Sequence, residues 1–491
     1  MHNSSSDKSN YHRYSILPCL IFILLLVISS PVLADNIEEI SMEEKNIFTL
    51  EEAIEYGIQE SPGLNQSKME VERLERNLAD VRAGLGLNIG FSGEYEKPYD
   101  SIEDSTTGME IEPDDSIAVD LQAGMMLKGV NLYSTLSSDD TDPFEMVDLQ
   151  DNYELQLGAS RQIFPFLPAE QERELERLKI EVEKARSAFK NEKQSRIIEW
   201  FESYSELIKE KRLLQVVSER KELAREELER VERQKELGEA GEIQIQEAEI
   251  NLREARLQYR QQQRTFEREK AGWKRELGLP SDIDIVVDEK NSYIDKWMEK
   301  MDELKLDKTE EELWERVKSE HESIQGLEMD MEFAEKELEY SQWEKFPELE
   351  AEGLYDYQKK DWRAAITLSY DIYDGGQTTR KIEEKEEEVK LLEMNYEQTL
   401  DELKQQLKDL LEGVENVEED WKIKQMQKDI AIIEAERAEK QLKEGIITEV
   451  EYRTKELSQK EAEIEFAATD RSLLFAEMRL LQFVEKDILS F

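Results

Sequence analysis

The chain has 491 residues, 37% of them charged, and a formal net charge of −51. That acidity argues against nucleic acid, whose phosphates would be repelled. An apolar share of 38% supplies helical seams but is low for several compact cores.

Taken in chain order, residues 1–34 read as a secretory signal: Lys8 and Arg13, the apolar run "ILPCLIFILLLVISS", then small residues up to Ala34. A retained membrane anchor is the alternative, but the run is short for a spanning helix. The single cysteine, Cys19, lies in this segment, and only His321 remains of the histidines after it. The mature chain therefore lacks thiol nucleophiles, disulfides and Cys/His zinc sites. It has no Gly-rich phosphate loop and no nucleophile elbow. No enzyme activity and no cofactor are expected, and His321 reads as an ordinary helix residue.

The remainder is written twice. "FTLEEAIEYGIQESPGLNQSKMEVE" from Phe48 matches "KTEEELWERVKSEHESIQGLEMDME" from Lys308 at an offset of 260. "LQLGASRQIF" at 155–164 matches "AAITLSYDIY" at 364–373 at an offset of 209, and Gly238 and Gly445 differ by 207. The first repeat, 35–279, is expected to hold helices over 49–83, 168–237 and 242–277 and strands over 85–97 and 152–164. It also carries an insert at 98–150, rich in Asp, Ser, Thr and Pro, that reads as an exposed loop. The middle of the insert, "SIAVDLQAGMMLKGVNLY", could form a hairpin of its own. A linker at 280–307 leads to the second repeat, 308–491. Here helices are expected over 309–344, 377–444 and 447–488, and strands over 347–358 and 362–373. Leu400, Leu403, Leu407, Leu410, Val414 and Val417 recur at three- and four-residue steps, the pattern of a packed helix seam.

The strands alternate. Ala364, Ile366, Leu368, Tyr370 and Ile372 share one face, with Thr367, Ser369 and Asp371 opposite. Leu155, Leu157, Ala159 and Ile163 oppose Gln156, Ser160 and Gln162, with Arg161 breaking the apolar face near its end. Tyr95, Phe164, Tyr355, Tyr357, Trp362, Tyr370 and Tyr373 lie toward strand ends, where an aromatic girdle would sit. Strands of about ten residues cross a bilayer when tilted. Four of them cannot close a barrel, and an open edge in lipid leaves backbone groups unsatisfied. Several chains must then share one barrel, twelve strands for three chains. The Asp374, Gly375, Gly376 run ends the last strand and turns the chain into the following helix.

Four stretches together resemble the TolC-type outer-membrane efflux proteins: "FTLEEAIEYGIQESPGL", "VRAGLGLNIGFSGEY", "AAITLSYDIYDGGQTTRKIEEKEEEVK" and "GEIQIQEAEINLREA". The resemblance runs from Phe48 to Val484 and leaves out the 98–150 insert. It implies a mainly α fold with a membrane β-barrel, in which two repeats carry two barrel strands each. It implies a homotrimer with a twelve-stranded barrel in the outer membrane and a helical tunnel in the periplasm. The expected partners are outer-membrane lipid, a periplasmic adaptor and an inner-membrane transporter, in efflux or type I secretion. Acidic side chains past the second hairpin turn narrow the tunnel mouth in this family; the first such position matches Glu451, the second falls on Thr454, and Glu449 is a nearby substitute, with ordinary exposed-face carboxylates as the alternative reading of both acids. Hairpin tips at 237–243 and 444–449 are candidate adaptor contacts, with Gly238, Gly241, Gly445 and Thr448 at their turns. A periplasmic coiled-coil adaptor or tether is the competing reading, since it needs the helices but not the strands.

Overall fold

The computed structural model describes residues 47–96, 102–103, 110–111, 116–140, 153–288 and 309–484. The expected signal segment, most of the expected 280–307 linker and parts of the insert lie outside the described residues. Among the described residues, no helix is long and apolar enough to cross a membrane.

Each repeat opens on a capped short helix. Thr49 begins α1 (Leu50–Glu60), and its hydroxyl accepts the Glu52 N–H while the Glu52 carboxylate accepts the Thr49 N–H. Thr309 and Glu312 repeat this reciprocal cap for α5 (Glu310–Glu320). Helix α2 (Pro62–Leu85) starts at a proline, which drives Ser61 into extended backbone and separates it from α1. The break between α5 and α6 (Glu322–Trp343) needs no proline: His321 is extended, and its Nδ1 accepts the Ser323 N–H at 3.3 Å. The spans 49–83 and 309–344, expected as one helix each, are therefore two helices each. Burial lowers the His321 pKa, with Glu322 opposing, which keeps the ring neutral and able to accept that bond.

Two helices of 67 residues, α3 (Glu170–Glu236) and α7 (Gln377–Lys443), form the long rods, each about 100 Å at 1.5 Å per residue. Helix α4 (Glu242–Glu276) folds back along α3, and α8 (Glu449–Val484) folds back along α7. On one half of the rods the lateral order is α4, α3, α8, α7, and on the other it is α2, α3, α6, α7. The core sits where the rods meet the short helices. Ala53, Ile54 and Leu64 pack with Trp200, Phe201, Tyr204, Trp273 and Phe475. The second repeat mirrors this with Leu313, Val317 and Ile324 against Leu403, Leu407 and Leu480.

The sheet has six strands, all antiparallel: β1 (Asn88–Glu96), β2 (Ser116–Leu127), β3 (Val130–Asp140), β4 (Tyr153–Phe164), β5 (Glu348–Asp356) and β6 (Asp361–Ser369). Their spatial order is β6, β5, β4, β3, β2, β1. The sequence pattern led to four strands per chain; the first repeat contributes four by itself, because the middle of the insert supplies β2 and β3. These two alternate apolar and polar residues, and Lys128 and Gly129 join them with φ of 49° and 72°. Positive φ at both central residues is the two-residue turn whose twist suits a hairpin. Two short pairs lie apart from the sheet: Ile47–Phe48 beside Asp284–Ile285, and Ile102–Glu103 beside Glu110–Ile111.

Candidate functional site

The features that matter for function are the two faces of the sheet, its two free edges and the far ends of the rods. Paired residues in neighbouring antiparallel strands project to the same face. One row runs Ile89, Ala123, Ser134, Leu157, Tyr355, Trp362 across all six strands. The next polar row runs Gly90, Gln122, Thr135, Gln156, Asp356, Asp361. Apolar and polar faces thus continue in phase from edge to edge. Large side chains on the first face stand open, with Phe91 72% and Ile366 73% exposed. A face of that size and character marks a contact with lipid or protein. Both edges, β1 and β6, leave their outer backbone groups unpaired by any neighbouring strand within the described chain.

The Asp374, Gly375, Gly376 turn links β6 to α7. The Asp374 carboxylate accepts the Gly376 N–H at 2.8 Å and the Thr378 N–H at 2.7 Å. These bonds, led by Thr378, hold its pKa down to about 2. Gly375 and Gly376 take φ of 67° and 81°, a region that side chains with a Cβ rarely adopt.

The two rod tips are built alike. Gly238 (φ 76°) donates to the Lys235 carbonyl while Glu239 donates to Gln234. Gly445 (φ 70°) donates to Leu442 while Ile446 donates to Gln441. Each tip is thus a left-handed glycine closing a helix, with the paired 5→2 and 6→1 bonds that satisfy its last carbonyls. Across each turn the next helix is capped from its third residue, Gln244 accepting from Gly241 N–H and Glu451 from Thr448 N–H, both at 2.8 Å. The sequence-derived candidates Glu449 and Glu451 lie at the second tip, in the first turn of α8. Glu451 serves the cap, and the bonds from Thr448 lower its pKa. Glu449 sits 3.3 Å from Arg453, which also reaches Glu226 of α3 at 2.8 Å. Gly238 and Gly241 close one tip, and Gly445, Thr448, Glu449 and Glu451 close the other, so the structure gathers these six positions into two turns. The Asp374 turn lies at the opposite end of α7.

Sequence reasoning missed the exposed apolar stripes on the outer helices. Ile423, Met426, Ile430 and Ile433 run along α7, and Ile243, Ile250 and Leu257 along α4. Their three-, four- and seven-residue spacings were legible, but not that they stand exposed among the described residues. Among the described residues, no group of His, Cys, Asp and Glu could hold a metal ion.

Residues 313–484 match the outer membrane efflux protein family. No curated protein sequence matches the chain. In fold, the chain is similar to the CmeC outer membrane channel of Campylobacter jejuni, at 13% identity over 89% of this chain and 85% of that one, with a TM-score of 0.58. It is also similar to the outer membrane protein VceC of Vibrio cholerae, at 11% identity over 89% and 95%, with a TM-score of 0.57. The open-state MtrE outer membrane channel of Neisseria gonorrhoeae follows at 13%, 89% and 90%, with a TM-score of 0.52. The second repeat thus carries the sequence signature of the outer membrane efflux protein family, and the fold through both repeats is similar to that of these outer-membrane channels.

Proposed function

We propose that three copies of this chain close into one passive export conduit. Its sheet forms the outer-membrane barrel and its rods the periplasmic tunnel of a tripartite efflux or type I secretion system. The observation that carries this reading is the agreement of every free edge. Strand β1 and helices α2 and α4 lie on one side of the chain, and β6 and α7 lie on the other. Each side presents unpaired backbone groups at the sheet and an apolar stripe along the rods. One side meeting the other is a head-to-tail contact, which closes a ring when the rotation allows. Closure satisfies the edge strands, as lipid requires, and covers both stripes.

The tips at Gly238, Gly241, Gly445 and Thr448 then face a periplasmic adaptor, and Glu449 and Glu451 ring the mouth through which cargo from an inner-membrane transporter enters. The channel does no chemistry. Its work is to hold a water-filled path across two layers.

Two measurements test this. In the mature chain, which has no cysteine of its own, Ser92→Cys on β1 and Thr367→Cys on β6 are combined and treated with a flexible bismaleimide. A ladder of cross-linked products that stops at three subunits supports the ring. A protein that stays single would overturn it. In a planar bilayer, the purified protein should show discrete cation-preferring openings, and Glu449→Ala with Glu451→Ala should enlarge them. Openings unchanged by these substitutions would keep the channel and discard the acidic mouth.

A further inference from the structure

We infer that the hairpin of β2 and β3 is a stretch of barrel wall, so that the assembled barrel has eighteen strands rather than twelve. The inference rests on the three-chain conduit proposed above. Four observations carry it.

First, the hairpin is inserted into the sheet and does not hang from it. β2 pairs with β1 along nine residues, and β3 pairs with β4 along nine. Second, its alternation is in phase with both neighbours. Leu121 and Leu136 continue the apolar row between Phe91 and Leu155, while Asp120 and Ser137 continue the polar row between Ser92 and Glu154. A loop lying in water has no need to carry one apolar face. Third, it crosses the full height of the sheet. Its strands are 12 and 11 residues long, enough to span a bilayer when tilted. Its turn reaches the junction of sheet and rods, where Gly129 N–H donates to the Glu172 carboxylate at 3.0 Å, in the first turn of α3. Fourth, it is locked in place on the polar face. The Tyr133 ring lies over Gly158, where an added Cβ would come within 2.0 Å of it, and the Tyr133 hydroxyl donates to Glu352 on β5 at 2.5 Å.

Six strands per chain make eighteen for three chains. Barrel diameter grows roughly in proportion to strand number, so the bore is about one and a half times that of a twelve-stranded barrel. Asp120 joins Glu154, Glu350 and Glu352 on the face turned to the lumen, so the wide segment is also an acidic one.

The experiment places single cysteines in the assembled protein in membranes and follows their reaction with a charged, membrane-impermeant maleimide. Asp120→Cys and Thr135→Cys on the polar face should react at least tenfold faster than Leu121→Cys and Leu136→Cys. Thr367→Cys and Ile366→Cys on β6 serve as the reference pair, because β6 belongs to the barrel with or without the hairpin. Alternation on both β6 and the hairpin supports the inference. Alternation on β6 with uniformly fast labelling of the hairpin overturns it and leaves the conduit standing. Loss of alternation on β6 as well overturns the conduit, and the inference falls with it. The cross-linked ladder fixes the count: a stop at two subunits would give twelve strands and refute eighteen.

Discussion

Asp374 holds its turn by accepting two backbone N–H groups as a carboxylate, so its folded pKa lies near 2, below the usual value of 3.8. The stabilisation is therefore present at neutral pH and is lost only as pH falls from about 4 through about 2. Asp374→Asn should melt at lower temperature than the parent at pH 7, and the difference should shrink as pH approaches 2. Thermal melts followed by circular dichroism at pH 7, 4 and 2 would check it; a gap that persists at pH 2 would mean that charge is not the cause. Gly158 is a second residue whose reason is packing. Replacing it with valine drives a branched side chain into the Tyr133 ring, an overpacking that typically costs about 1–3 kcal/mol. The variant should lower the temperature at which assembled protein dissociates on a gel, and an unchanged temperature would argue against the Tyr133 lock. The Asp-Gly-Gly run reads from sequence as a turn, because glycine and aspartate are the residues such turns demand. Gly158 does not, because its constraint comes from a side chain 25 positions away on another strand.

At the scale of elements, period was legible and partnership was not. The Leu400 to Val417 stripe on α7 reads as a helix seam, and its Leu403 and Leu407 are buried against α5 and α8. The Ile423 to Ile433 stripe has the same spacing yet faces outward. Spacing says that a helix has an apolar face; only the lateral order of helices says whether the chain itself covers that face. Burying an isoleucine contributes about 1.5–3 kcal/mol, and each chain offers several along this edge. Ile423→Asp combined with Ile430→Asp should therefore convert assembled protein to single chains in detergent, read by sedimentation, with helix content retained. An assembly that survives both charges would place the contact elsewhere.

For the whole molecule, the tips test whether the rods end in a docking point. Gly238 and Gly445 have positive φ with open space around the Cα, so valine there would meet backbone strain of about 1–2 kcal/mol rather than a clash. With Gly238→Val and Gly445→Val, export should be lost while assembled protein still reaches the outer membrane. Export at the parent rate would remove the tips from the list of adaptor contacts.

Sequence alone determined the duplication, the long rods and the alternating strands, because each is written in local period or in self-similarity along the chain. The middle of the insert was open to reading as a hairpin of its own, while its acidic flanks read as loop. Tertiary structure decided that β2 and β3 enter the sheet, which edges stay open and which stripes stay bare. Those outcomes depend on register and on neighbours far apart in the chain, and a strand's own pattern carries one face but never names the strand that lies beside it.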